Sequence, residues 1–251
     1  MNYGLQLYSV RDITKDDFEG ALRQVAEMGY TTVEPAGFFG HSADDVAAML
    51  KNYGLTCCST HTGFGQLKDN FKETVAFHKA IGCNDIILPS APWSNKEELD
   101  LTVDSINKWQ PALEAEGMRL HYHNHSHEFL KNTSGQIAHD ELAARTEVFF
   151  ELDTFWVYNA RLDPVALMEK YKDRVKFIHL KDGIMQDWST PGSHAIGKSV
   201  GSGDAPILDI RKKAIEIGAH MVIESEGLDP TGPAEVKRSI DFLKSVDESE
   251  K

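Results

Sequence analysis

The chain has 251 residues, with 26 Lys and Arg against 39 Asp and Glu, so its formal charge is −13; 41% of residues are hydrophobic and 26% charged. This is the composition of a soluble globular protein, and the acidic balance opposes general attraction to nucleic acid or anionic membrane. No stretch reaches the roughly 18–20 apolar residues of a membrane span and no basic-then-apolar leader opens the chain, so a cytoplasmic location is expected.

Short β-branched or apolar runs alternate with stretches of helical period from one end to the other. A strand over residues 2–8 precedes a helix over 16–28, in which Phe18, Leu22, Val25 and Met28 share one face. A second strand at 31–35 leads to a helix at 43–52 with Val46, Met49 and Leu50 aligned. Strands follow at 56–60, 85–88, 119–123 and 148–153, then a short helix at 164–172 and strands at 175–180 and 220–225. Gly29, Gly54 and Gly117 each stand just before a strand, where a left-handed helix C-cap belongs. Residues 182–206 read as a long loop carrying Gly192, Gly197, Gly201 and Gly203. Eight βα units without a linker, and without GxGxxG after the first strand, predict an α/β fold: a single-domain (β/α)8 TIM barrel spanning residues 1–251.

Barrel chemistry sits at the C-terminal ends of the strands. Those ends carry Gln6 and Tyr8, Glu34, His61, His123 and His125, Glu151 and Asp153, His179 and Lys181, and Glu224 and Glu226. Burying such groups costs several kcal/mol each unless a metal or a partner satisfies them. Side chains alternate along a strand, so Glu151 and Asp153 point inward with Leu152 outward, and His179 and Lys181 point inward with Ile178 and Leu180 outward. Histidine and carboxylates from separate strands suit one divalent ion of the Mg, Mn, Co or Zn group. His121, His127, His139, His194 and His220 read as structural or exposed. Cys57, Cys58 and Cys83 lack CxxC spacing and read as small hydrophobes rather than as disulfide or structural-zinc partners. The Gly201-Ser202-Gly203-Asp204 segment offers backbone amides to a phosphate but has no basic neighbour.

Glu151-Leu152-Asp153-Thr154-Phe155-Trp156, Phe177-Ile178-His179-Leu180-Lys181-Asp182 and Val222-Ile223-Glu224 resemble segments of the xylose isomerase-like barrels. That broad group includes sugar phosphate isomerases/epimerases, inosose dehydratases, ketose 3-epimerases and endonuclease IV, and the resemblance covers nearly the whole chain. It implies a single divalent metal held by Asp153, His179 and Glu224. The fourth ligand departs from the group's pattern: His123 stands where many relatives carry glutamate, and Glu151 is the alternative. The resemblance further implies a substrate-facing position for His61. Glu34, His125 and Trp156 complete the expected substrate contacts, with Trp156 offering a ring face to a sugar, and Glu151 and Lys181 are the expected acid–base groups. The function expected is a metal-dependent isomerase or epimerase that abstracts a proton next to the carbonyl of a small keto sugar or polyol. The alternative is a lyase or dehydratase acting on an inosose or 3-keto-glycoside by β-elimination. Expected partners are a small carbohydrate and a second copy in a homodimer; the acidic charge argues against the nucleic-acid chemistry of endonuclease IV.

Overall fold

Each β-rich run buries one face against helices and the other against its fellow strands, and such runs satisfy both faces by closing into a barrel. The computed structural model describes residues 1–186 and 196–250, so Gly192 and His194 lie outside the described residues. Its strands are β1 Gly4–Gln6, β2 Thr32–Glu34, β3 Thr56–Cys57, β4 Thr60–His61, β5 Asp85–Leu88, β6 Arg119–His123, β7 Phe149–Asp153, β8 Val175–Ile184, β9 Ile196–Lys198 and β10 His220–Glu224. Around the sheet the order is β3-β2-β1-β10-β8-β7-β6-β5-β4, with β9 attached to β8. Because β3 and β4 are two halves of one interrupted stave, this path returns to its start and closes the eight-stave barrel that the sequence predicts.

The third stave breaks where sequence alone suggests a continuous strand. β3 pairs with β2 and β4 with β5, and Ser59, in the break, donates its hydroxyl to the Glu34 carboxylate. The predicted loop over residues 182–206 is also corrected at its start. Asp182, Gly183 and Ile184 continue β8 and pair antiparallel with Lys198, Gly197 and Ile196 of β9. Gly183 permits this hairpin: a Cβ there would lie 2.6 Å from the Ile196 carbonyl oxygen and from the Phe155 ring.

The helices form as their patterns require. In Phe18–Glu27 the residues Phe18, Leu22 and Val25 are buried, and Asp17 caps the start by accepting from the Gly20 N–H at 2.8 Å. Gly54, at φ 66°, closes the helix Ala43–Asn52 in the expected left-handed conformation. Leu152, Ile178 and Leu180 join the hydrophobic core beneath the helices, so the alternation leaves Glu151, Asp153, His179 and Lys181 to the barrel interior. Among the described residues no helix is long and apolar enough to cross a membrane.

The N-terminal end of the barrel is tied by charge. Asp85 and Arg119 open β5 and β6 in register; Arg119 donates to both carboxylate oxygens at 2.6 and 2.8 Å, and His121 Nε2 lies 2.7 Å from Oδ1. Burial alone would raise the Asp85 pKa, but His121 and Arg119 outweigh it and hold the carboxyl below the usual range. A depressed folded pKa stabilises above the unfolded value of about 3.9, and that stability is lost as pH falls through the folded value. Since Arg119 is half exposed, Asp85→Asn should lower stability by only about 1–3 kcal/mol at pH 7. Urea melts of both proteins should converge as pH falls below the usual carboxylate range; a gap as wide at acid pH as at pH 7 would contradict this account.

Candidate active site

Parallel register sets the polar strand ends level with one another. His123 pairs with Glu151, Asp153 with His179, Lys181 with Glu224, and Gln6 with Glu34. Glu34, His123, Glu151, Asp153, His179, Lys181 and Glu224 are all under 5% exposed, and His61 reaches in from β4. Predicted site residues of six staves therefore meet in one cluster.

His179 is its centre. On one ring edge, Nε2 lies 2.8 Å from Glu34 and 3.1 Å from Glu151. On the other, Nδ1 lies 3.1 Å from Glu224 and 3.8 Å from Asp153. His61 Nε2 is 2.9 Å from Glu151, and Gln6 donates to Glu34 at 2.6 Å. Lys181 Nζ sits 3.1 Å from Glu224, 3.0 Å from Glu226 and 3.5 Å from Asp153. Glu34, expected to touch substrate, is fully buried and engaged by Gln6, Ser59 and His179.

Among the described residues four buried carboxylates gather here, two of them with Glu226 around Lys181 and all four around His179, and the titration directions follow. Burial opposes charge on His179, yet Glu151, Glu224 and Glu34 outweigh it and hold its pKa well above the ordinary value. Burial likewise opposes the Lys181 ammonium, but Glu224, Asp153 and Glu226 keep it charged. Burial pushes Asp153 and Glu224 up, while Lys181 and the neighbouring histidines pull both below the usual carboxylate range. His61 has burial as its main influence, and its pKa falls to about 4.

The donor set His123, Asp153, His179 and Glu224 has ligand atoms all within 4.8 Å of one another. His123 Nε2 and Asp153 Oδ2 are buried, have no hydrogen-bond partner among the described residues and stand 3.6 Å apart. Donor atoms of a tetrahedral zinc site with 2.1 Å bonds are about 3.4 Å apart, so these residues fit a divalent ion. Asp153 serves twice: Oδ1 caps the helix Thr154–Asn159 through the Trp156 N–H at 2.9 Å, leaving Oδ2 for the site. Glu151 lies on the other ring edge of His179, in a second group with His61 and His123.

A cleft of about 520 Å³ opens over the cluster, with Tyr8, His61, His123, His125, Glu224 and Glu226 in its wall, a volume suited to a small ligand. His125 lies in this wall. Trp156, expected to offer a ring face to a sugar, has the Lys181 ammonium 4.5 Å from its ring centre and is not among the described residues that line the cleft.

The Gly201-Ser202-Gly203-Asp204 segment does not offer its amides to a phosphate. Gly201 and Gly203 donate to Asp182 Oδ2 at 3.0 and 2.8 Å, and Ala205 and Gly183 to Oδ1 at 3.1 and 2.8 Å. The nest is filled by the chain's own carboxylate, and any Cβ on Gly203 would collide with it. Sequence reasoning gave no role to Asp182, nor to Asn124, whose amide bridges the Asp153 backbone at 3.2 and 3.3 Å. A glycine cluster facing an Asp-Gly step was the one available signal for the former. Asp182→Asn would turn a donor toward two N–H groups and should cost about 2–4 kcal/mol in chemical denaturation; a loss under about 0.5 kcal/mol would show the nest to be dispensable.

The sequence profile of the xylose isomerase-like TIM barrel matches residues 22–246. An inosose dehydratase of Geobacillus kaustophilus is 24% identical over 186 residues, covering 64% of this chain and 60% of the relative. One of Clostridium beijerinckii is 34% identical over 91 residues, covering 35% and 30%. The chain thus matches 60% or less of the length of these relatives. Among solved structures, a sugar phosphate isomerase/epimerase from Parabacteroides distasonis superposes with a TM-score of 0.81 at 28% identity, over 96% of this chain and 97% of that one. A probable 3-DHS dehydratase from Bacillus anthracis, at 13% identity and a TM-score of 0.77 over 97% and 99%, shares the fold. With closed barrel, polar mouth and a profile match over most of its length, the chain belongs to the xylose isomerase-like TIM barrel family.

Proposed function

We propose that the protein is a divalent-metal-dependent isomerase or epimerase of a small keto sugar or polyol, starting by proton removal next to the carbonyl. The observation that carries this is the pair of buried ligand atoms, His123 Nε2 and Asp153 Oδ2, without a hydrogen-bond partner among the described residues, beside His179 Nδ1 and Glu224 beneath the cleft. These four residues would hold the ion, with His123 rather than Glu151 as the fourth ligand. A divalent cation there supplies Lewis-acid polarisation of a carbonyl and offsets the charge that proton removal leaves behind.

The chain's own groups divide the remaining work. Burial would raise the Glu151 pKa, but His179 and His123 hold it low, so at neutral pH it is a carboxylate. Its Oε1 has no hydrogen-bond partner among the described residues, which suits it to accept the substrate proton. Lys181, kept as an ammonium, serves as charge stabiliser and proton donor and is unsuited to act as a base. Glu34 holds the His179 Nε2–H and thereby presents Nδ1, the orienting task that carboxylates perform behind ligating histidines.

A dehydratase is the second reading, favoured by the relatives named inosose dehydratase and by the charged Lys181 beside Glu226 of the cleft wall. Glu151 would take the proton from carbon, the C–O bond at the β-position would break, and a Lys181 proton would leave with the hydroxyl as water. Incubation with keto sugars and inososes in D2O, followed by NMR, separates the two. Metal-dependent deuterium incorporation into an isomer supports the first reading, and loss of water the second. His179→Ala should lose both metal and exchange while keeping the fold; retained metal and turnover would reject the ligand assignment. Lys181→Met should retain the metal and lower turnover about 10²–10³-fold, and unchanged turnover would remove the lysine from the mechanism.

A further inference from the structure

Past β6 the chain leaves the barrel and makes the turn His127–Phe129, carrying a second group of donors to the rim of the cleft. His125 Nδ1 lies 3.7 Å from Glu128 Oε1, and His127 Nε2 lies 3.5 Å from the same oxygen. All three donor atoms are within 4.8 Å of one another. Glu128 is fully buried; its Oε2 accepts the His125 backbone N–H at 2.8 Å, whereas among the described residues Oε1 has only the Tyr122 hydroxyl at 3.5 Å. His125 Nδ1 is buried with no hydrogen-bond partner among the same residues. The His127 ring stacks between His125, at 5.2 Å and 4°, and Trp93, at 5.2 Å and 17°, and its side chain is 51% exposed.

Separations of 3.5 and 3.7 Å are too long for good hydrogen bonds, but they match the edge of about 3.4 Å in a tetrahedral metal site. The turn holds the carboxylate between the two imidazole nitrogens. We infer that His125, His127 and Glu128 form a second cation site, at the rim of the cleft, with an open position for water. Two imidazoles and one carboxylate select Zn²⁺, Co²⁺ or Ni²⁺ over Mg²⁺ or Ca²⁺, which prefer all-oxygen shells. The site shares no residue with the set His123, Asp153, His179 and Glu224, and does not depend on it. His125 lies in the cleft wall, so an ion here stands beside the path to the mouth.

The test is titration of the chelator-treated full chain with Co²⁺, followed by calorimetry and visible absorption. Wild-type protein should bind two equivalents. His127→Ala and His127→Gln, at a half-exposed position, should each bind one fewer with an unchanged thermal melt, and His179→Ala should keep the rim equivalent. Wild-type protein binding a single equivalent that survives His179→Ala and vanishes with His127 would uphold the rim site while rejecting the mouth site. Stoichiometry unchanged by both His127 substitutions, or a single equivalent lost only in His179→Ala, would overturn the rim site.

Discussion

The buried imidazole of His179 holds carboxylates at both of its ring nitrogens, and the mouth of the barrel is organised around it. Glu34 and Glu151 occupy the Nε2 side, Glu224 and Asp153 the Nδ1 side. Buried carboxylates at this density repel one another and are expensive to desolvate, so they persist only with cationic or hydrogen-bonding partners of fixed position. His179 and Lys181 supply these from one strand. Their spacing of two residues keeps both inside the barrel, and pairing with β7 and β10 sets their heights.

That arrangement depends on β8 holding its direction beyond Lys181. The next residue, Asp182, turns into the nest of amides from Gly183, Gly201, Gly203 and Ala205, while Gly183 pairs with β9. The glycines at this end of the barrel thus anchor the strand that delivers the lysine. On the neighbouring stave, Asp153 uses one oxygen to start a helix and Asn124 pins its backbone, which leaves a single oxygen free to face the site.

The barrel was legible because period and alternation are local: a half-buried strand repeats every two residues, and its helix repeats every 3.6. That Glu151, Asp153, His179 and Lys181 face inward was legible for the same reason, whereas the choice of Asp153, His179 and Glu224 among the strand-end groups came from the resemblance of their segments to the family. Less visible was anything depending on which atoms meet. Glu34 reads in sequence like any acid at a strand end, and its contacts with Gln6, Ser59 and His179 become visible only in the fold. The amides of the 201–205 segment look free for an anion until Asp182 is found among them. β9 was hidden because the glycines that let two backbones approach are the same residues that mark loops. His127 carried no signal of its own, since its partners Trp93 and Glu128 are placed by the fold.

The central claim is that His179 presents Nδ1, and not Nε2, to a divalent ion shared with Asp153, Glu224 and His123. Zinc-edge anomalous diffraction from crystals of the full chain grown with Zn²⁺ tests it most directly. The account predicts a peak about 2.0–2.2 Å from His179 Nδ1 and from Asp153 and Glu224 oxygens, with Glu34 still bonded to Nε2. A peak on the Nε2 side among Glu34, Glu151 and His61, or none at the mouth of an enzyme that turns over, would contradict it.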